Sequence, residues 1–426
     1  MIDRHILRND PAAVKAGALR KGIDVSSSLD QWLSLDSQLR ELKTSLQADQ
    51  AEMNRISKSI GMLMGMGKKD EAEEAKSHTK VLKDRIAEGE GRERDLEAGL
   101  RDLELEFPNT PHASVPEGLD VENNVVVREW GEKPVYAENP KPHWEVADEL
   151  NLLDLERGAK ISGSGFAVYT GLGARLQRAL FNWMIDVQSL EHGYREIFPP
   201  YLVNEASLLG TGQLPKFGED LYKTNDGLYL IPTAEVPVTN LYRDEILPNE
   251  MLTAKLAAYS SCFRREAGAA GKDTRGLLRM HQFDKVELVK FARPEESYDE
   301  LELLVKDAEV ILQRLGIHYR VVLLCGGDMS FSNAKCYDLE LWSPGVGKYL
   351  EISSCSNFGD FQARRLNVRF RRAQGEKPEF VHTLNGSGLA TPRLFSAILE
   401  TFQQPDGSVL VPELLRPYVG TDRISR

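Results

Sequence analysis

Two sets of residues within Ser260–Lys290 have types and spacing that could do chemistry: Arg264 with Glu266, and Phe283 with Lys285 and Glu287. Side chains in a strand alternate between faces, so each set shares one face if its backbone is extended. The stretch reads as a strand through Ala267, a loop punctuated by Gly268, Gly271 and Gly276, and a second strand from Leu277 onward. A face that combines charge with an aromatic ring suits a planar, charged ligand lying across a sheet. A solvated hairpin face would also carry charge, and spacing alone does not separate the two.

Two further pieces carry chemistry. Asp338-Leu339-Glu340 is followed by Tyr349-Leu350-Glu351-Ile352-Ser353-Ser354. By the strand period, Glu351 and Ser353 fall on one face and offer the oxygen ligands that Mg²⁺ requires. Leu384–Phe402 reads as a strand end, a small-residue turn and a helix. Pro392 must lie in the first helical turn. That places Arg393 near the helix N-terminus, where a guanidinium adds to the positive dipole end and favours phosphate.

Other routes are closed. No GxxxxGK[ST] or GxGxxG run is present, so neither common nucleotide loop is available. No HExxH or GxSxG occurs. Cys262, Cys325, Cys336 and Cys355 form no CxxC pair, and the eight histidines lack metal spacing. Protein-bound zinc is not expected, and each cysteine reads as a small buried apolar residue.

The elements that must position these residues divide the 426-residue chain in two. Asn9-Asp10-Pro11 marks a helix start within a short helical cap over residues 1–25. Trp32, Leu35, Leu39, Leu42, Leu46, Met53, Ile56, Ile60 and Leu63 then recur at steps of three and four, broken only at Asp49. This is a coiled-coil seam. Gly61, Gly65 and Gly67 interrupt it, and a second helix runs from about Asp70 to Phe107-Pro108. The two read as an antiparallel hairpin arm over about 27–107, each helix reaching roughly 50–55 Å. Its distal part, Arg55–Arg85, holds eight Lys/Arg against five Asp/Glu, whereas the proximal parts hold five against thirteen. A basic tip suits a polyanion. On charge alone, flanks kept charged for solubility account for it more simply.

Six prolines over residues 108–143 mark the boundary between a domain at 1–110 and one at 111–426. The second mixes helices (Ala174–Gly193, Glu295–Leu315) with strands (Tyr194–Val203, Tyr319–Cys325, Cys336–Trp342, Gly347–Ser354). The expectation is an α+β domain on a largely antiparallel sheet. A net charge of −12 excludes a generic polyanion binder, so any nucleic-acid surface must be local. No apolar run approaches membrane-spanning length, and the first residues do not read as an apolar signal segment. The expectation is a cytoplasmic enzyme without membrane contact.

The motifs resemble those of the bacterial-type seryl-tRNA synthetases, a family of class II aminoacyl-tRNA synthetases. Phe263-Arg264-Arg265-Glu266 is similar to the class II motif 2, and DTRGLLRMHQFDKVEL to its seryl continuation. Thr211–Phe217, Thr233-Ala234-Glu235 and Glu351–Asn357 fit the same branch. Phe198-Pro199-Pro200 resembles the motif 1 region of a homodimer interface, and Asn385–Glu400 resembles motif 3. Thr391-Pro392 departs from the Val-Gly common in the family, and Arg265 from a frequent Ser.

The resemblance implies a class II antiparallel sheet flanked by helices, with the hairpin as a tRNA-binding arm. It implies activation of L-serine by ATP, with Mg²⁺, and transfer to the terminal adenosine of serine tRNA. It leaves open whether selenocysteine tRNA is charged as well. Arg264 would hold the α-phosphate and the serine carboxylate, and Arg393 would sit over the ATP, both acting in catalysis. Arg265, Glu266, Phe283, Glu351, Ile352, Ser353 and Ser354 complete the ATP site, with Glu351 and Ser354 holding the metal. Thr233, Ala234, Glu235, Glu287 and Ser387 join Arg264 around serine. Arg55, Lys58, Lys68, Lys69, Lys76, Lys80 and Lys83 become phosphate contacts for tRNA. A non-catalytic relative would have lost Arg264, Glu266, Glu351 or Arg393, and a ligase for carrier proteins would lack the arm.

Overall fold

The computed structural model describes residues 1–136, 139–266 and 275–426. Gly268, Gly271 and Lys272, expected in the loop after Arg264, lie outside the described residues. The chain forms two compact units: Ile2–Leu19 with Ile23–Phe107, and Met1, Arg20–Gly22 and Pro108–Arg426.

The first unit is helical. Helix α1 spans Arg4–Asn9 and α2 spans Pro11–Leu19. Pro11 opens α2, and the Asp10 carboxylate accepts from the Ala13 N–H at 3.1 Å. Helices α3 (Ser26–Gly65) and α4 (Lys69–Glu106) pair as the hairpin. At about 1.5 Å per residue each reaches roughly 55–60 Å. Gly61 does not interrupt α3, which continues to Gly65 before the turn. The seam is driest toward the open end, where Leu29, Trp32, Leu39 and Leu100 are buried. There the Glu104 carboxylate accepts from the Trp32 indole at 3.0 Å and pairs with Arg4. Asp49, the break in the seam, is answered from the other helix by Arg85 at 2.6 Å. Gly89 lets the helices close, since a Cβ there would lie 2.5 Å from Leu46 Cδ2.

The second unit is built on an eight-stranded sheet. Its strands are β1 (Val125–Trp130), β2 (Arg195–Glu196), β3 (Ala254–Phe263) and β4 (Gln282–Ala292). They continue with β5 (Tyr319–Leu323), β6 (Lys335–Ser343), β7 (Lys348–Asn357) and β8 (His382–Ala390). The order is β1-β5-β6-β7-β8-β4-β3-β2, antiparallel except where β2 runs parallel to β3. Three helices cover one face: α5 (Gly171–Asp186), α6 (Ser297–Leu315) and α7 (Thr391–Thr401). Alternation sorts the sheet cleanly. Val286, Leu288, Val321, Leu339 and Leu341 point into one apolar core with Leu176, Leu304 and Leu394 of the helices. Each such side chain contributes about 1.5–3 kcal/mol of burial. Their neighbours in sequence, Lys285, Glu287, Arg320, Asp338 and Glu340, face the other way.

Several expected boundaries move. The first arm of the hairpin ends at Phe263, and the second begins at Gln282 rather than Leu277. The ladder closes with the Arg264 N–H donating to the His281 carbonyl at 2.9 Å. Glu266 then takes a φ of +51°, so period two no longer relates it to Arg264. Tyr194–Val203 is not one strand but two short ones, Arg195–Glu196 and Leu202–Val203, because the prolines between them cannot donate to a ladder. Gly386-Ser387-Gly388 is no turn. It stays within β8, and Pro392 follows in the first turn of α7 as expected.

Candidate active site

The uncovered sheet face carries a cavity of about 990 Å³. Its deepest chemistry is on β4. Glu287 is 1% exposed, yet it accepts from Thr233 Oγ1 at 3.0 Å and from Asn385 Nδ2 at 3.0 Å. It also pairs with the Lys285 ammonium, which in turn donates to Thr233 Oγ1 at 2.9 Å. Lys285 and Glu287 share a face because they are two residues apart, as expected. Asn385 reaches Glu287 as a diagonal neighbour, since Ser387 is the residue directly opposite. Ser387 lines the cavity above this group.

Glu235 stands beside it, with its Oε1 accepting from Gln362 Nε2 at 2.7 Å. Burial pushes the Glu235 carboxyl up to about 7, and the neighbouring Glu287 charge adds to the effect. The Gln362 amide, Lys285 and Arg264 pull in the opposite direction without cancelling it. Ala234 is fully buried and packs with Val238 and Leu256, so its side chain is turned away from the cavity.

Across the sheet, Arg264 lies over the Phe283 ring, 5.1 Å from its centroid, and its Nε donates to the Pro232 carbonyl at 3.2 Å. Glu266 lines the same cavity, paired with Arg279. Arg265 does not join them. It is exposed beyond the strand end, held by its N–H to the Asp220 carbonyl at 2.9 Å.

Strand β7 corrects the expected metal face. A bulge at Ile352 sets Glu340 opposite Glu351 but Leu339 opposite Ser353. The extra residue reverses the alternation. Glu351 and Ser353 therefore do not share a face, whereas Glu351 and Ser354 both line the cavity. Ser353 is 1% exposed and donates to the Ser387 carbonyl at 2.7 Å. Arg393 reaches back from α7 to the Glu351 carbonyl oxygen, with the carboxylate 3.8 Å away. Asp338, opposite Ser354, is half-buried, and its desolvation with the Glu351 charge pushes its carboxyl well up. Among the described residues no three His, Cys, Asp or Glu side chains are placed to share an ion.

Lys285, Asn385, Gln362 and Arg279 are site residues to which sequence reasoning assigned no role. Only Lys285 carried a signal, its two-residue offset from Glu287. On the arm, Arg55, Lys68 and Lys76 are exposed but paired with Glu52, Glu71 and Glu73. Lys58, Lys69, Lys80 and Lys83 are exposed and form no ion pair among the described residues.

Residues 1–111 match the family described as seryl-tRNA synthetase N-terminal domain. Residues 219–402 match the tRNA synthetase class II core domain (G, H, P, S and T). The chain is 54% identical to a Serine--tRNA ligase of Pelotomaculum thermopropionicum over 99% of both chains. It is 55% identical to one of Geobacillus kaustophilus over 100% of both. Its fold is similar to that of a seryl-tRNA synthetase of Pyrococcus horikoshii complexed with ATP, with a TM-score of 0.93 at 37% identity, covering 100% of this chain and 99% of that one.

Proposed function

The chain belongs to the seryl-tRNA synthetases, and from that premise we propose how its residues share the work of a serine-tRNA ligase. The reaction joins serine to ATP as seryl-adenylate, releases pyrophosphate, and passes the seryl group to a terminal tRNA hydroxyl. The observation that carries the assignment is the buried Glu287, ringed by Thr233, Lys285 and Asn385, which themselves line the open cavity. A carboxylate held this way has oxygen capacity left for a ligand that brings its own donors. Serine brings two, an ammonium and a hydroxyl.

In this reading Glu235 and Glu287 accept those donors, with Thr233 and Ser387 closing the pocket. Arg264 spans the serine carboxylate and the α-phosphate, and its fork neutralises charge as the phosphorus becomes pentavalent. The ring of Phe283 supports the adenine, and Glu266 reads its amino group after exchanging Arg279 for the nucleotide. Arg393 contacts the outer phosphates. No residue needs to act as a covalent nucleophile, so positioning and neutralisation carry the rate.

The residues also fit a divalent cation that arrives with the nucleotide. Mg²⁺ needs only one or two protein oxygens when phosphates supply others. Glu351 is about half exposed, and the bulge brings Ser354 to the same face. Bound there, the ion would draw charge from the phosphates.

We assign residues 1–110 to tRNA binding through the arm, with its exposed lysines on the phosphates of serine tRNA. Residues 111–426 are assigned to catalysis. A cytoplasmic homodimer is proposed on two grounds. No helix among the described residues is long and apolar enough to cross a membrane. Leu190 and Phe198 are 80% and 78% exposed near the Phe198-Pro199-Pro200 segment, where a second copy would cover them. Serine-dependent ATP–pyrophosphate exchange tests the assignment. Exchange with serine and none with alanine is expected, because a site built to bond a hydroxyl rejects an analogue lacking it by up to about 10⁴-fold. Equal exchange with alanine would remove it.

A further inference from the structure

Away from the residues assigned above, a buried polar cluster ties α7 to the segment that leads into β4. Glu400 and His143 are both 0% exposed. One Glu400 oxygen accepts from the His143 N–H at 3.0 Å and lies 2.8 Å from His143 Nδ1. The other accepts from the Ser343 hydroxyl and from the Gly345 N–H at 3.1 Å. All of these partners can only be satisfied as donors to the carboxylate, so Nδ1 carries the proton. That leaves His143 Nε2 as an acceptor, and the Leu277 N–H donates to it at 3.0 Å.

The fit at this point is close. Gly276 has a φ of +61°, and a Cβ on it would lie 2.3 Å from His143 Nε2. The chain thus passes directly over the imidazole edge, then continues as Leu277, Leu278, Arg279 and Met280, all of which line the cavity. Arg279 is the residue that pairs with Glu266. Outside the strand ladder, the His143 contact is a fixed point at the start of this wall.

We propose that His143, set in one tautomer by Glu400, is a positioning residue for ATP: it holds the Leu277–Met280 wall of the nucleotide site through its Nε2 lone pair. The inference rests on ATP occupying this cavity, as assigned above. It specifies an acceptor at the Nε2 position, not merely a filled space. Two substitutions separate these. In His143→Asn the amide nitrogen takes the place of Nδ1 and still donates to Glu400, but nothing remains to accept from Leu277. In His143→Gln the longer side chain returns an oxygen to the Nε2 position, while Glu400 keeps its three other donors.

The test is ATP–pyrophosphate exchange by the full chain, with KM measured separately for ATP and serine and Tm recorded for each variant. Loss of a buried acceptor is expected to raise KM for ATP about tenfold in His143→Asn. KM for serine should stay within about twofold, and His143→Gln should recover most of the loss. If both variants lose activity alike, or if kcat falls with KM for ATP unchanged, His143 is only part of the packing and the inference fails. Absence of exchange in the unsubstituted protein would instead overturn the reading of the cavity, and the inference with it.

Discussion

Glu235 should make serine binding depend on pH in a range where free carboxylates do not titrate. Burial and the Glu287 charge hold its carboxyl up to about 7 when the pocket is empty. An ammonium placed against it favours the charged form, so binding below that value must first expel a proton. Apparent affinity then falls with falling pH, and KM for serine should rise about tenfold between about pH 8 and about pH 6. Glu235→Gln removes the charge but keeps an oxygen to accept from Gln362. A charge-assisted hydrogen bond is worth about 1.5–3 kcal/mol, so the variant should lose about ten- to hundredfold in KM at the higher pH. Its KM should then be flat across the range. Exchange kinetics at saturating ATP read both effects. A flat profile in the unsubstituted protein, or an equal slope in the variant, would refute the assignment of Glu235 to the ammonium.

The same shift has a consequence for stability without ligand. The unfolded side chain releases its proton near 4.5, the folded one near 7. Between these values the folded state binds more protons, so this contribution is fully present below the window and is lost as pH rises through it. The difference is about 3 kcal/mol, which Glu235→Gln should recover near pH 8 and not near pH 4. Thermal melts of the two proteins, compared across that interval, check the sign.

Two further outcomes follow from the geometry. Arg264→Lys keeps a cation but loses the planar fork and its contact with Phe283, so kcat/KM in exchange should fall about 10²–10³-fold, and an unchanged value would take Arg264 out of the reacting centre. Deleting about residues 40–95 should abolish charging of serine tRNA while sparing exchange, because the arm and the cavity belong to different units; charging that survives would remove the arm from tRNA recognition.

Local physics decides which of these features can be read from the chain. The arm is legible because a seam of Trp32 to Leu63 in steps of three and four has no other low-energy use than helix pairing. Even its flaw at Asp49 becomes intelligible once Arg85 is seen opposite. Lys285 and Glu287 are legible for the same reason, since both lie within an unbroken strand. Features that depend on a partner strand or a distant segment are not. Leu277 meets His143 across 134 residues, and Gln362 meets Glu235 across 127. No window of sequence brings them together.

Glu351 is the sharpest case, because period two gave a definite answer and the wrong partner. A bulge is set by how two strands fit, and Tyr349–Ser354 contains no glycine to announce one. In a regular ladder that kept Ser354 opposite Asp338, Ile352 would pair with Glu340 and Glu351 with Leu341, so Glu351 would turn into the apolar core. There a carboxylate would be buried without a partner, at a cost of several kcal/mol. With the bulge, Glu351 meets solvent and Arg393, while Ser353 stays inward and ties β7 to the Ser387 carbonyl of β8. One irregular residue thus both relieves a buried charge and assembles the oxygen pair assigned to the nucleotide's cation.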